Sequence, residues 1–315
     1  MTTPSSALKY FDVLAAKQAY AEGRNVTELL RAQCGSDCNT SAIIETAYDL
    51  QAGTYIAAVE RAPAQARAYA SEMAAIIDHH ICATDAVLDI GTGELTTLSL
   101  TVSHLRTQPQ TVLAFDVSWS RVFKGLSYAR AHMGAAFDSL RPFVADIAEI
   151  PLCDQSVDVT ISSHALEPNV GKLPALMAEL FRVTRDKLIL FEPCYEINSD
   201  EGKQRMDRLG YIKGVDEVVA SLGGTVIDKV RMSHVSNPLN PTVCFVIKPP
   251  QASSPLRSRG HGGHVFSVPG SNLALIEMDG FHVSADTGLC FPILKSIPIL
   301  KSSSAILASA LSEAV

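Results

Sequence analysis

Between residues 84 and 248, short apolar and β-branched runs alternate with segments whose apolar residues recur at helical spacing. The runs are Ala86–Ile90, Val112–Val117, Phe143–Ala145, Val157–Ser162, Leu188–Phe191, Thr225–Met232 and Val243–Lys248. Helical segments separate the first six, among them Leu95–Leu105, Leu173–Val183 and Val215–Leu222. Strand and helix in alternation predict parallel strands joined by right-handed crossovers. Only the turn-rich Ser236-Asn237-Pro238-Leu239-Asn240-Pro241 joins the last two runs, so they form a hairpin and the seventh strand runs antiparallel to its neighbour. The expected fold is α/β, a seven-stranded, mostly parallel, doubly wound sheet with an antiparallel last strand.

The flanks read differently. Residues 1–78 are predicted to form a helical N-terminal cover, with helices over Tyr20–Arg31 and Gln65–Ile77. Residues 79–248 make the sheet domain. Residues 249–263 are rich in Pro, Ser, Gly and Arg and form a linker. Residues 264–315 resume apolar patterning as a small α+β module that ends in an Ala/Leu/Ser helix and is short enough to need something to pack on.

Composition narrows the class. Lys and Arg total 26 against 33 Asp and Glu, a net charge of −7, so general nucleic-acid binding, which needs clustered positive charge, is disfavoured. The 47% hydrophobic content excludes a mostly disordered chain. Every apolar stretch is broken well before the roughly 20 residues of a membrane span. The seven cysteines are odd in number and scattered, unlike a disulfide framework, and the chain reads as cytoplasmic.

The sharpest local signal is Val87-Leu88-Asp89-Ile90-Gly91-Thr92-Gly93-Glu94-Leu95, a buried strand that runs into a glycine turn before a helix. Gly91 and Gly93 let the backbone bend and approach a ligand, and the new helix presents unpaired N–H groups. Dinucleotide sites want a third glycine after G-x-G, and here Glu94-Leu95-Thr96 follows. Asp89 and Glu94 would repel a pyrophosphate, whereas Asp89 suits a cation such as a sulfonium with its amino-acid tail. A tight turn without a ligand is the competing reading. Two further strand ends weigh against it. Asp116 stands 23 residues after Gly93, placed to accept ribose hydroxyls, and Asp146 can accept from an adenine amine while Ile147 covers the ring.

With these residues in view the chain resembles a class I S-adenosylmethionine-dependent methyltransferase over residues 80 to 248. The motifs are the strand and turn at 87–93, Phe115-Asp116-Val117-Ser118, Ala145-Asp146-Ile147, Val157 through Glu167, and Leu188-Ile189-Leu190-Phe191-Glu192-Pro193. The resemblance implies S-adenosyl-L-methionine as cofactor. Asp89, Gly91 and Gly93 would line its methionine part, Asp116 would hold the ribose, and Asp146 and Ile147 the adenine. Ser163 and His164 would lie near the sulfonium. Leu95 departs from the pattern, since many members have a glycine there. Tyr48, Gln51 and Tyr55 of the N-terminal cover would shape the site, with aromatic faces turned to the sulfonium.

Residues 273–300 resemble a small zinc-binding domain that activates some methyltransferases. Where that family has cysteine pairs, Val268-Pro269-Gly270-Ser271, Ser284 and Thr287 stand instead. Structural zinc takes about four N/S ligands, so the expectation is a metal-free, degenerate module whose Phe291–Leu300 stretch packs on the sheet domain or on a partner chain, a homodimer included. His261 and His264 in the linker, and Cys34 with Cys38, read as structural rather than metal-binding.

His164 is the best-placed general base, with Glu167 and Glu192 behind it. The leading expectation is methyl transfer to a small-molecule or glycan-precursor acceptor, with O-methylation slightly favoured. The main competitor is a non-catalytic, cofactor-binding regulatory or scaffolding subunit. A nicotinamide-dependent oxidoreductase is disfavoured by Asp89 and Leu95.

Overall fold

The computed structural model describes residues 7–8, 11–36, 39–235, 237–250 and 266–311. Its centre is a seven-stranded sheet formed by β1 (Ala86–Ile90), β2 (Thr111–Asp116), β3 (Leu140–Val144), β4 (Val157–Ser163), β5 (Thr184–Pro193), β6 (Thr225–Arg231) and β7 (Thr242–Lys248). The spatial order is β3-β2-β1-β4-β5-β7-β6. β1 to β5 pair in parallel, and β7 is antiparallel to both β5 and β6. The order reverses between β1 and β4, and in open α/β sheets ligands bind outside the strands' carboxyl ends at such a reversal.

The strands are apolar on both faces because helices cover both. Leu88, Ile90, Leu113 and Phe115 face α8 (Leu173–Val183) and α10 (Val215–Ser221). Val87, Val112, Ala114 and Ile161 face the other layer, where Met73 and Ile77 of α5 (Pro63–Ile77) and Leu98 and Val102 of α6 (Thr96–His104) pack. The third helix of that layer, α7 (Trp119–His132), is capped by Ser118, whose hydroxyl accepts from Arg121 N.

The N-terminal cover departs from the expected single helix over Tyr20–Arg31. The chain forms α1 (Val13–Ala21) and α2 (Val26–Cys34), separated by Gly23 at φ +71°. Asn25 Oδ1 accepts from Glu28 N at 3.2 Å and starts the second helix, a side-chain cap that competes with continuation of the first. Next come α3 (Ser41–Leu50), α4 (Thr54–Arg61) and α5.

The C-terminal module is a small antiparallel sheet of β8 (Ile276–Met278), β9 (Phe281–Val283), β10 (Leu289–Leu294), β11 (Ile297–Pro298) and β12 (Ile306–Leu307). The Ala/Leu/Ser helix expected at its end is absent over the described residues. Ile306 and Leu307 pair instead with Cys290 and Leu289, since a helix of so few residues cannot repay its nucleation cost while an open strand edge is at hand. The module docks on the outer edge of the main sheet. Ile299 bridges Val144 in parallel, Leu300 N donates to Val144 O at 2.8 Å, and Phe291 and Leu300 join the main core. Lys301, 6% exposed, places Nζ 2.6 Å from Glu45 Oε1 on α3, so the module also grips the N-terminal cover. Most of the linker, with His261 and His264, lies outside the described residues, as does Cys38.

No described helix is long and apolar enough to cross a membrane. Among the described residues no group of three or more His, Cys, Asp or Glu is placed to hold a metal ion.

Candidate functional site

A cavity of about 550 Å3 opens at the carboxyl ends of the parallel strands, roofed by α3, α4 and α5. Gly91, Asp116, Asp146, Ile147, Ser163, His164 and Glu167 line it, as does Tyr55. A smaller cavity of about 60 Å3 adjoins it, lined by Asp89, Gly91, Gly93, Tyr55 and Ser163. Tyr48 lines the larger cavity as well, whereas Gln51 and Glu192, also expected near the site, line neither space.

The glycine turn is sterically specific. Gly91 has φ +59°, and a Cβ there would stand 2.6 Å from Ala165 Cβ. Gly93 has φ +56°, and its N–H donates to Asp116 Oδ2 at 3.0 Å. Leu95 holds φ +57° although it is not glycine, at a cost of about 1–2 kcal/mol. Its side chain is fully buried in the α5/α6 layer, which offsets that strain.

Three carboxylates stand at or just past the carboxyl ends of three adjacent strands. Asp89 is 6% exposed; burial, with the Asp116 charge adding to it, pushes its carboxyl up to about 7 against the opposing contact from Thr92. Asp116 is raised by burial as well, although Ser118 N, Arg121 and Gly93 N all pull the other way. Its two oxygens each accept one backbone N–H, from Gly93 at 3.0 Å and Ser118 at 2.9 Å, which leaves each free to accept one more donor. Asp146 Oδ1 accepts from Ala148 N at 3.0 Å.

Glu94 does something the sequence did not signal. It is fully buried and reaches back to the start of α4, accepting from Gly53 N at 2.8 Å, Tyr55 N at 3.3 Å and Ile56 N at 2.8 Å. It caps a remote helix whose own N-cap residue, Gly53, has no side chain. The same segment is clamped by Asp49, which accepts from Ser118 Oγ at 2.9 Å and Ser120 N at 3.1 Å, and by Lys124, whose Nζ donates to Ala52 O at 2.6 Å.

The aromatic residues also differ from expectation. The Arg121 guanidinium carbon sits 4.4 Å from the Tyr48 ring centroid and 4.3 Å from that of Tyr55. The rings therefore already hold a cation of the chain itself. Arg121 is 1% exposed, donates from Nε to Tyr48 O at 3.0 Å, and leaves Nη2 without a partner. Its place three residues after the Ser118 cap puts it at the same end of α7 as Asp116, a spacing readable from the sequence.

At the far end of the cavity His164 has φ +61°, in the left-handed region. Its Nδ1 lies 2.9 Å from Glu167 Oε2 and its Nε2 lies 3.0 Å from Thr242 Oγ1. The carboxylate fixes the proton on Nδ1 and leaves Nε2 as the basic atom. Burial pulls the His164 pKa down, but the Glu167 hydrogen bond and charge, with Glu192 behind, push it above the ordinary histidine value. Glu192 is fully buried, with its carboxyl raised to about 7 by burial against the pull of His164 and Ser162. Its Oε1 accepts from Ser162 Oγ at 2.7 Å and from Ala165 N and Leu166 N at 3.1 Å, which fixes the turn that carries His164. Ser163 Oγ meets Tyr69 OH at 3.1 Å. Thr242, Tyr69 and Asn240 were not among the expected site residues; they come from elements distant in sequence.

No family model matches the chain, and no curated protein matches it. Among solved structures it is similar to magnesium protoporphyrin IX methyltransferase from Synechocystis with bound SAH, at 13% identity over 59% of this chain and 84% of that one, TM-score 0.45. It is similar to geranyl diphosphate C-methyltransferase from Streptomyces coelicolor, at 13% identity over 57% and 74%, TM-score 0.44. A SAM-dependent methyltransferase from Aquifex aeolicus matches at 16% identity over 59% and 93%, TM-score 0.44.

Proposed function

We propose that the chain binds S-adenosyl-L-methionine and transfers its methyl group to a small-molecule acceptor. The observation that carries this reading is the electrostatic state of the strand ends. Asp89 is buried with no cation paired with it among the described residues, and its carboxyl is pushed to about 7. Such a group favours a ligand that brings positive charge and disfavours a pyrophosphate. An amino-acid tail with its ammonium at Asp89, a ribose at Asp116 and an adenine between Asp146 and Ile147 answers each carboxylate in turn. Gly91 and Gly93 permit close backbone approach, and Ser163 stands at the mouth of both cavities.

The bound cofactor would supply an electrophilic methyl carbon, and the chain's residues supply alignment. Tyr55, held by Glu94 at the start of α4, covers the glycine turn. His164 Nε2 takes the acceptor's proton as the acceptor oxygen attacks, Glu167 stabilises the resulting imidazolium, and Thr242 turns its hydroxyl to accept from the protonated nitrogen. This relay favours O-methylation. A non-catalytic binding subunit is the competing reading, and the strained, hydrogen-bonded His164 speaks against it, since such strain collects at functional positions. The C-terminal module's kinship with a zinc-binding activator domain rests on residues 273–300 alone. In either case its role here is to close the β3 edge and hold α3 through Lys301.

Calorimetric titration with S-adenosylmethionine tests the reading, with NADH as control. Binding in the micromolar range, weakened about 10-fold or more by Asp116→Ala, about 1.4 kcal/mol, is the expected result. Binding of NADH in its place would overturn it.

A further inference from the structure

The end of the cavity away from the glycine turn contains a cation without a counter-charge. Arg205 lies on α9 (Asp200–Leu209) and lines the main cavity. Among the described residues no carboxylate pairs with it, and its buried Nη1 has no hydrogen-bond partner. Its guanidinium carbon stands 5.5 Å from the Tyr211 ring centroid. Tyr211 lines the same cavity, and burial, with the Glu167 charge adding to it, pushes its phenol up to about 12. Glu167 in turn accepts from His164 Nδ1 at 2.9 Å and from Asn240 Nδ2 at 3.4 Å.

Arg205, Tyr211, Glu167 and His164 thus line one cavity, with Glu167 and His164 joined by a hydrogen bond. Glu167 Oε2 accepts from His164 and Asn240, and among the described residues no ion pair joins it to the guanidinium. A partly buried guanidinium without a counter-ion costs free energy, and a ligand anion that pairs with it recovers that cost. Guanidinium matches the paired oxygens of a carboxylate or phosphate through parallel N–H groups. One stretch of the wall is apolar and made of small residues, Ala58, Val59, Ala62 and Ala66, from α4, α5 and their junction. That surface leaves room for a flat apolar body.

We infer that the acceptor is a small molecule bearing a carboxylate or phosphate, anchored by Arg205 so that its nucleophile lies at His164. This rests on the methyl-transfer reading and names the class of acceptor for that same site. The anionic group itself is not changed in the reaction.

The full chain can be titrated calorimetrically with 4-hydroxybenzoate, 4-hydroxyphenyl phosphate and the neutral 4-hydroxybenzamide, with and without saturating S-adenosylhomocysteine. R205Q and R205K are measured in parallel. The expected result is a preference for the anionic probes of about 10-fold or more, the scale of a charge-assisted hydrogen bond. R205Q loses that preference and R205K keeps part of it, while S-adenosylhomocysteine binds all three proteins equally. The stronger of the two anions identifies carboxylate or phosphate as the natural group. Equal binding of the amide and the acids by the unsubstituted chain overturns the inference. So does a preference that survives in R205Q, or an absence of binding by either anion. Failure of the methyl-donor reading shows separately, as no heat from S-adenosylhomocysteine, because the anion preference is also read without it.

Discussion

The two ends of the cavity are held in opposite electrostatic states. At the glycine-turn end, Asp89 and Asp116 are both buried, and burial raises both carboxyls, with the Asp116 charge adding to it at Asp89. At the far end the groups answer one another: Glu167 takes His164 and Asn240, and Thr242 takes the other histidine nitrogen. The first end stores unfavourable energy that a cationic ligand relieves. The second is already organised before anything binds. Under the proposed methyl-transfer reading, pre-organisation falls where a proton would move and unrelieved charge where a ligand would be gripped.

The N-terminal cover belongs to the first end, and its removal should have the largest effect. Glu94 satisfies three N–H groups at the start of α4, in a fully buried position. Glu94→Ala leaves those donors without partners and is expected to lower stability by about 2–4 kcal/mol. In hydrogen exchange the Gly53 and Ile56 amides should lose protection while those of β4 and β5 keep theirs. Uniform loss across both ends would show that the cover is not anchored locally.

A smaller effect of opposite sign is expected at Asp89. Its folded-state pKa, about 7, stands above the ordinary value of 3.8. Its contribution to stability is therefore intact below about pH 4 and is lost as the pH rises through 7. Asp89→Asn removes the buried charge and should stabilise the ligand-free chain by roughly 1–3 kcal/mol at pH 8, with the gain vanishing near pH 4. Urea midpoints at the two pH values measure this. The same variant should bind S-adenosylmethionine more weakly. A variant neutral at pH 8 would mean that the strand end stores no such energy.

The contrast between the ends also explains what the sequence disclosed. β1 is read to the residue, because a buried apolar run that stops at a glycine turn has few other ways to fold. Asp89 and Asp116 lie at the carboxyl ends of their own strands and Asp146 two residues past the end of β3, so local pattern places all three. Arg205 and Tyr211 come from around α9, a helix with only Gly202 and Met206 buried, and that polar pattern carries no core signal. Asn240, just before β7, and Thr242, its first residue, meet Glu167 and His164 respectively only because β7 inserts beside β5. Glu94 looked like a deterrent to phosphate and proved to be a cap for a helix some forty residues earlier, a contact no local rule reports. Tyr48 and Tyr55, expected to turn their faces to a sulfonium, line the cavity, but both rings lie against the Arg121 guanidinium, which the Ser118 cap at the start of α7 brings there.

The smallest and most discriminating effect concerns the pre-organised end. Glu167 and His164 are hydrogen-bonded and partly exposed, at 20% and 30%, so their coupling is screened but not abolished. If His164 is the base, kcat/KM for a hydroxyl acceptor rises with pH through the raised histidine pKa, because only the neutral ring can accept the proton. Glu167→Gln keeps an oxygen for Nδ1–H and deletes the charge. Burial then dominates, the histidine pKa falls, and the rising limb should move to lower pH by roughly one unit. Above the limb the rate should fall modestly, since a weaker base accepts a proton less readily. The affinity for S-adenosylmethionine should not change, because Asp89 and Asp116 are untouched. A limb that stays in place would assign the titration to another group. A limb that moves together with cofactor affinity would show that the two ends are coupled, which their separate hydrogen-bond networks argue against.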